Sequence, residues 1–241
     1  MAKNTTTIKR HLLNRFDANY LRKNSNQNRQ ILNTVGKVNV GWNKEYLSTL
    51  GNFKTIIDVG AANDFHDLHE SVHNSVSILI DANENYIPEY KRFLSTREGE
   101  YHIALLSDKV ENKNYYLNVD KPYTSSVYNK SDKIKTKEYH FKTKTLDTLI
   151  DLDKLSGRNL LKLDVEGSEV PILRGAKKLL SKIDMVLCEC SLDPKFAGGD
   201  NFNDIYSSLT KIGFSIKDII RVPRVNFNTY PCQVIDVVFA K

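Results

Sequence analysis

The sequence predicts an α/β fold: a Rossmann-like, seven-stranded, mostly parallel sheet with an antiparallel last strand, preceded by N-terminal helices. Three observations carry the prediction. Seven short apolar runs recur from Lys54 onward, helical patterns lie between several of them, and the last two are joined by RVPRVNFNTYPCQ. That joining segment holds two prolines and no helical period, so it suits a hairpin better than a crossover helix.

The elements follow in order. Ile8, Leu12, Leu13 and Phe16 are spaced for an amphipathic helix over 6–23, and 23–30 is polar and loop-like. Trp42, Tyr46, Leu47 and Leu50 suggest a further short helix stopped at Gly51. Residues 1–51 therefore form an N-terminal helical extension, and 52–241 the main domain. The apolar runs are TIIDV (55–59), VSILID (76–81), HIALL (102–106), NLLKLD (159–164), MVLCEC (185–190), FSIKDII (214–220) and VIDVVFA (234–240). Helices are expected over 84–95, 168–181 and 202–212, the second capped by Ser168 with Val170, Ile172, Leu173, Leu179 and Leu180 as its apolar face. Residues 109–144 interrupt the alternation: YYLNV and YHFKTK look like extra strands around a long polar loop, and loops of that length are usually functional or disordered.

Composition narrows the function classes. With 40% hydrophobic and 10% aromatic residues in 241, the chain can bury a full core. No run approaches 18 apolar residues, so no membrane span is expected, and MAKNTTTIKRHLLNRFDANY lacks the apolar stretch of a signal peptide. Three cysteines (Cys188, Cys190, Cys232) favour free thiols in a reducing compartment and hence a cytoplasmic protein. Residues 1–30, where seven basic side chains face only Asp17, carry the whole net charge of +6, and 31–241 balance to zero. A nucleic-acid enzyme spreads its positive field over the catalytic face, so nucleic acid is not the expected substrate.

In open α/β sheets ligands bind beyond the carboxyl ends of the strands. After the first strand come Asp58, Gly60, Ala61 and Ala62, a small-residue turn in which Gly60 can take positive φ. The dinucleotide fingerprint is absent, since Gly60 is the turn's only glycine. Asp58 and Asp64 would also repel a diphosphate, so the turn suits a cationic, phosphate-free cofactor such as S-adenosylmethionine better than NAD. Asp81, followed by Ala82, ends the second run and could accept both ribose hydroxyls. Ser107 and Asp108 follow the third run, where an adenine edge would lie. Asp164 and Glu166 place two carboxylates at the mouth of the central strand, and Glu189 ends the fifth run. His66 and His69 could face the substrate, though lone histidines on a helix are more often structural. Cys188 and Cys190 fit core packing better than zinc. Lys130, Lys133, Lys135, Lys137, Lys142 and Lys144 line the polar insertion and could attract an anionic acceptor.

DVG in the first loop, IDANENY, ALLSD, TKTLDTLI and above all LKLDVEGSEVPILRGA resemble the FkbM-type methyltransferase family over about residues 54–240. The resemblance implies a class I methyltransferase fold, S-adenosylmethionine as donor, and O-methylation of a hydroxyl on a sugar, glycan or natural product. By it, Asp58 and Gly60 would hold the methionine end of the cofactor, and Asp81 the ribose. Ser107 and Asp108 would flank the adenine, and Asp164 would lie beside the transferring methyl. The family loop reads D-V-G-A-N-x-G; here Ala62 stands at the usual Asn, Asp64 at the usual Gly, and Ala82 at a usual proline. Candidate bases are Asp164, Glu166 and Glu189. A divalent metal between Asp164 and Glu189 is a second, less favoured reading. The acceptor is expected to be a saccharide or other small molecule; the alternatives are a polyketide or peptide product, or a non-catalytic protein that has lost cofactor binding. Oligomeric state is not legible.

Overall fold

The computed structural model describes residues 44–72, 74–129, 134–194, 196–221 and 233–241. The expected helix over 6–23, the polar stretch 23–30, the basic segment, Cys232, Lys130, Lys133 and all but the ends of the final connection lie outside them.

Seven strands form one sheet: β1 (Thr55–Val59), β2 (Val76–Asp81), β3 (Gly99–Ile103), β6 (Asn159–Leu163), β7 (Met185–Ser191), β8 (Ser215–Arg221) and β9 (Val234–Ala240). Their order is β3-β2-β1-β6-β7-β9-β8. The first five named pair in parallel, and β9 runs antiparallel between β7 and β8. This is the expected class I arrangement. The order reverses between β1 and β6, which makes their carboxyl ends the topological switch point.

The strands are apolar almost throughout because both faces are covered. Ile57, Val59, Leu161, Leu163, Val186 and Cys188 point to one face and pack with α4 (Leu146–Leu149), α5 (Glu169–Arg174) and α6 (Phe202–Thr210). Ile56, Leu160 and Leu187 point to the other, where α1 (Lys44–Thr49) adds Leu47 and α2 (His66–Ser71) adds Leu68. Farther along that face Phe65 and Leu79 pack with Tyr90 and Phe93 of α3 (Ile87–Leu94). Cys188 and Cys190 are buried free thiols. No helix among the described residues is long and apolar enough to cross a membrane.

The insertion is a hairpin, β4 (Asn112–Asn118) with β5 (Thr136–Lys142), in its own antiparallel sheet. Tyr115 and Leu117 pack it onto Leu105, beside the ends of β2 and β3.

Two expectations need correction. The third strand occupies Gly99–Ile103, not 102–106. Ala104, Leu105 and Leu106 are buried because they leave the sheet edge and pack under the hairpin and the helices. The helix expected over 168–181 stops at Arg174, because Gly175 lies against the backbone of Ser107: an added Cβ would come within 2.3 Å of its carbonyl oxygen. The chain turns there and resumes as a 3₁₀ turn, Leu179–Lys182, which keeps Leu179 and Leu180 in the core. Ser168 occupies the cap position of α5 without capping it; its hydroxyl donates to Val165 O, and Asp200 Oδ2 accepts the Val170 N–H at 2.8 Å instead.

Candidate active site

The turn after β1 is tied sideways to β2. Gly60 N and Ala61 N both donate to Ile80 O, at 2.9 and 3.2 Å. Gly60 has φ +76, and a Cβ there would lie 1.8 Å from Asp164 O, so only glycine lets the β1 turn pass the end of β6. The next corner puts Ala62 at φ 46, and its N–H donates to Asp81 Oδ2 at 3.1 Å. Asp81 Oδ1 accepts from Asn83 N at 2.8 Å, so both carboxylate oxygens are oriented by backbone donors. Burial pushes the Asp81 carboxyl up to about 6, against those two hydrogen bonds.

A cleft opens between these elements and the hairpin, with about 560 Å³ of empty space including its mouth. Gly60, Ala62, Asp81 and Ala82 line one side, and Ala104, Leu105 and Leu106 follow β3. Tyr115, Tyr123, Ser125 and Ser126 come from the insertion, Asp164 and Glu166 from the end of β6. Of the expected site residues, Gly60, Ala62, Asp81, Ala82, Asp164 and Glu166 are thus brought together.

The others stand elsewhere. Ala61 is buried against Phe65 and Leu79. Ser107 is buried, with its hydroxyl donating to Asp108 and accepting from Lys113, so the apolar wall beside Asp81 comes from the three residues before it. Glu189 is half-buried on β7, opposite Asp236 of β9, and does not line the cleft. His66 bonds Glu89 at 2.9 Å on the surface of α2 and α3. Asp58 is fully buried: Lys162 Nζ donates to its Oδ1 at 3.1 Å, and His69 Nε2 lies 3.4 Å from its Oδ2. Burial would raise the Asp58 carboxyl, but Lys162 and His69 hold it below the usual carboxylate range. It supports the turn from behind instead of reaching the cleft.

Sequence reasoning missed Lys162, although a lysine inside the run NLLKLD is itself a signal. Burial would lower its pKa, but Asp58, Asp164 and Asp64 hold it above the ordinary lysine value. Asp64 is exposed as a residue, yet partial burial raises its carboxyl, against Lys162 and together with Asp164 and Asp58.

Beyond Asp164 the chain makes a strained corner, with Glu166 at φ 56 and Gly167 at φ 97. Ser126 Oγ donates to Glu166 O at 2.9 Å, Asp200 N donates to Gly167 O at 3.0 Å, and Gly167 N donates to Glu169 Oε1 at 3.2 Å. Tyr128 and Phe196 stack beside Gly167, their ring centroids 5.8 Å apart. Two remote segments thus close on one dipeptide. Among the described residues no group of three His, Cys, Asp or Glu side chains is placed to hold a metal ion.

A family model described as "Methyltransferase FkbM domain" matches residues 19–216. A comparison with curated proteins finds no match. Among solved structures the chain is similar to precorrin-6y C5,15-methyltransferase from Geobacter metallireducens, at TM-score 0.44 and 11% identity over 82% of this chain and 85% of that one. It is similar to the plantazolicin methyltransferase in complex with SAH, at TM-score 0.46 and 10% identity over 98% of each chain. It is also similar to magnesium protoporphyrin IX methyltransferase from Synechocystis with bound SAM, at TM-score 0.42 and 13% identity over 93% and 85%.

Proposed function

The chain belongs to the FkbM methyltransferase family, and from that premise we propose that it is a cytoplasmic, S-adenosylmethionine-dependent O-methyltransferase acting on a saccharide or glycan-precursor hydroxyl. One observation carries the cofactor reading. Asp81, at the end of β2, has both oxygens oriented by backbone N–H groups and faces the same cleft as Gly60 and Asp164. A carboxylate fixed in that way can accept two neighbouring ribose hydroxyls.

The remaining lining fits the same molecule. Ala104 and Leu105 offer an apolar wall for a base, and Gly60 lets the backbone come close. Asp164 and the nearby Asp64 give a negative end for a cationic one. When bound, S-adenosylmethionine supplies a methyl group on a sulfonium. Asp164 and Glu166 then serve the acceptor: one holds the hydroxyl in line, the other takes its proton as the new bond forms. The saccharide reading rests on the aromatic residues, Tyr115 and Tyr123, that the insertion adds to a cleft also lined by carboxylates. Rings cover the C–H faces of a sugar and carboxylates accept from its hydroxyls. The buried free thiols fit a reducing compartment.

Calorimetry with S-adenosylhomocysteine tests the reading. Micromolar binding is expected, weakened at least tenfold in Asp81→Ala, while Asp164→Ala keeps binding but loses methyl transfer to a panel of saccharides. No heat at millimolar ligand would sink it.

A further inference from the structure

Lys162 sits in the middle of β6, only 5% exposed, in a strand whose five residues are all buried. A buried ammonium needs a partner, and the sheet register provides one: β1 and β6 set Asp58 directly opposite Lys162. Behind Asp58, His69 shares a hydrogen bond of 2.9 Å with Ser77 Oγ, so the carboxylate is itself held in place. Packing alone does not explain the pair, because two apolar side chains at such positions are often at least as stable.

The ammonium also faces forward. Nζ lies 3.7 Å from Asp164 Oδ2, and Asp164 borders the cleft. Asp64 lies within range of the same charge. Two carboxylates therefore flank one buried ammonium, and one of them, Asp164, borders the cleft.

We infer that Lys162 is a positioning residue that offsets part of the Asp164 charge and so sets how strongly the cleft prefers a cationic sulfonium to a neutral thioether. The inference rests on the cleft being the S-adenosylmethionine site. Substrate and product of methyl transfer differ by that one charge. With Lys162 in place the Asp164 field is damped, and the gap between their affinities stays small. Without it the carboxylate faces the ligand at full strength, and the cationic form gains.

The test is calorimetry with S-adenosylmethionine and S-adenosylhomocysteine on folded proteins checked by circular dichroism. Lys162→Met should raise the ratio of the product's dissociation constant to the substrate's by roughly three- to tenfold. Lys162→Arg should leave it within about twofold. In an Asp164→Asn background the Lys162→Met change should shrink, since the carboxylate that borders the cleft is gone and only charges farther from the ligand remain. A purely structural lysine would alter both affinities alike, so an unchanged ratio, or the same change in both backgrounds, overturns the proposal. If Lys162→Met fails to fold because Asp58 is left as an unpaired buried charge, Asp58→Asn with Lys162→Met removes both charges and the same ratio is read. Failure of the wild-type protein to bind either ligand overturns the cofactor reading and this proposal together; binding with an unchanged ratio overturns this one alone.

Discussion

Asp81 has its two backbone hydrogen bonds in place before any ligand arrives, and its carboxyl is pushed up to about 6 by burial. A protonated carboxyl cannot accept two hydroxyls at once. Affinity for S-adenosylhomocysteine should therefore be flat above about pH 6 and fall by about tenfold per unit below it. Asp81→Asn should bind weakly and without this pH dependence; calorimetry from pH 4.5 to 8 reads both. Asp81 was legible because a carboxylate closing an apolar run is a local feature. Asp58 lies one residue before the end of β1, and its carboxylate points into the sheet's buried face toward Lys162 and His69. That a lysine waits there depends on register with β6, a strand more than a hundred residues later, and no local pattern records it.

At the scale of the element, the strands were legible wherever burial and pairing coincide, as in β1, β2, β6 and β7. They part at 102–106, where Ala104 to Leu106 are apolar because they pack under other elements, and the bridge there, Leu106 with Lys144, lies outside the seven-stranded sheet. The break in the helix after Arg174 was hidden for a similar reason, since the backbone that crowds Gly175 belongs to Ser107. The corner at Glu166 and Gly167 carries its own prediction. Glu169 is buried beneath it, and burial raises its carboxyl from 4.5 to about 8, against hydrogen bonds from its own and the Gly167 N–H and with Asp200 and Asp164 adding to the rise. With the folded value above the unfolded one, the proton is retained in the native state alone between those limits. Stability should then be full below about pH 4.5 and fall by about 1.4 kcal/mol per pH unit up to about 8. Thermal or denaturant unfolding at pH 5 and 8 should show this loss in the wild type and a much smaller one in Glu169→Gln.

For the whole molecule, the seven strands and the antiparallel last one follow from a count of runs and one proline-bearing connection, and both survive small errors in element boundaries; their order rests on the structure. The proposed acceptor side was less legible, because it is made of segments that meet only in space: Tyr115 and Tyr123 from the insertion, Asp164 and Glu166 from the end of β6. If the cleft holds the cofactor, saturation should stabilise the entire fold. S-Adenosylhomocysteine at a hundred times its dissociation constant adds about 2.7 kcal/mol, which for a chain this size is a rise in Tm of roughly 5–10 °C. Scanning calorimetry with and without ligand measures it, and Asp81→Ala should remove most of the rise.

The two segments that close on Glu166 and Gly167 bring to it the Ser126 hydroxyl, the Asp200 amide and a pair of stacked rings. Neither contributes a strand to the seven-stranded sheet. A change of sequence or length in either segment therefore leaves the pairing of that sheet untouched. On the proposed reading the strand ends serve the donor and these segments the acceptor, so exchanging the segments is the direct route to a new specificity.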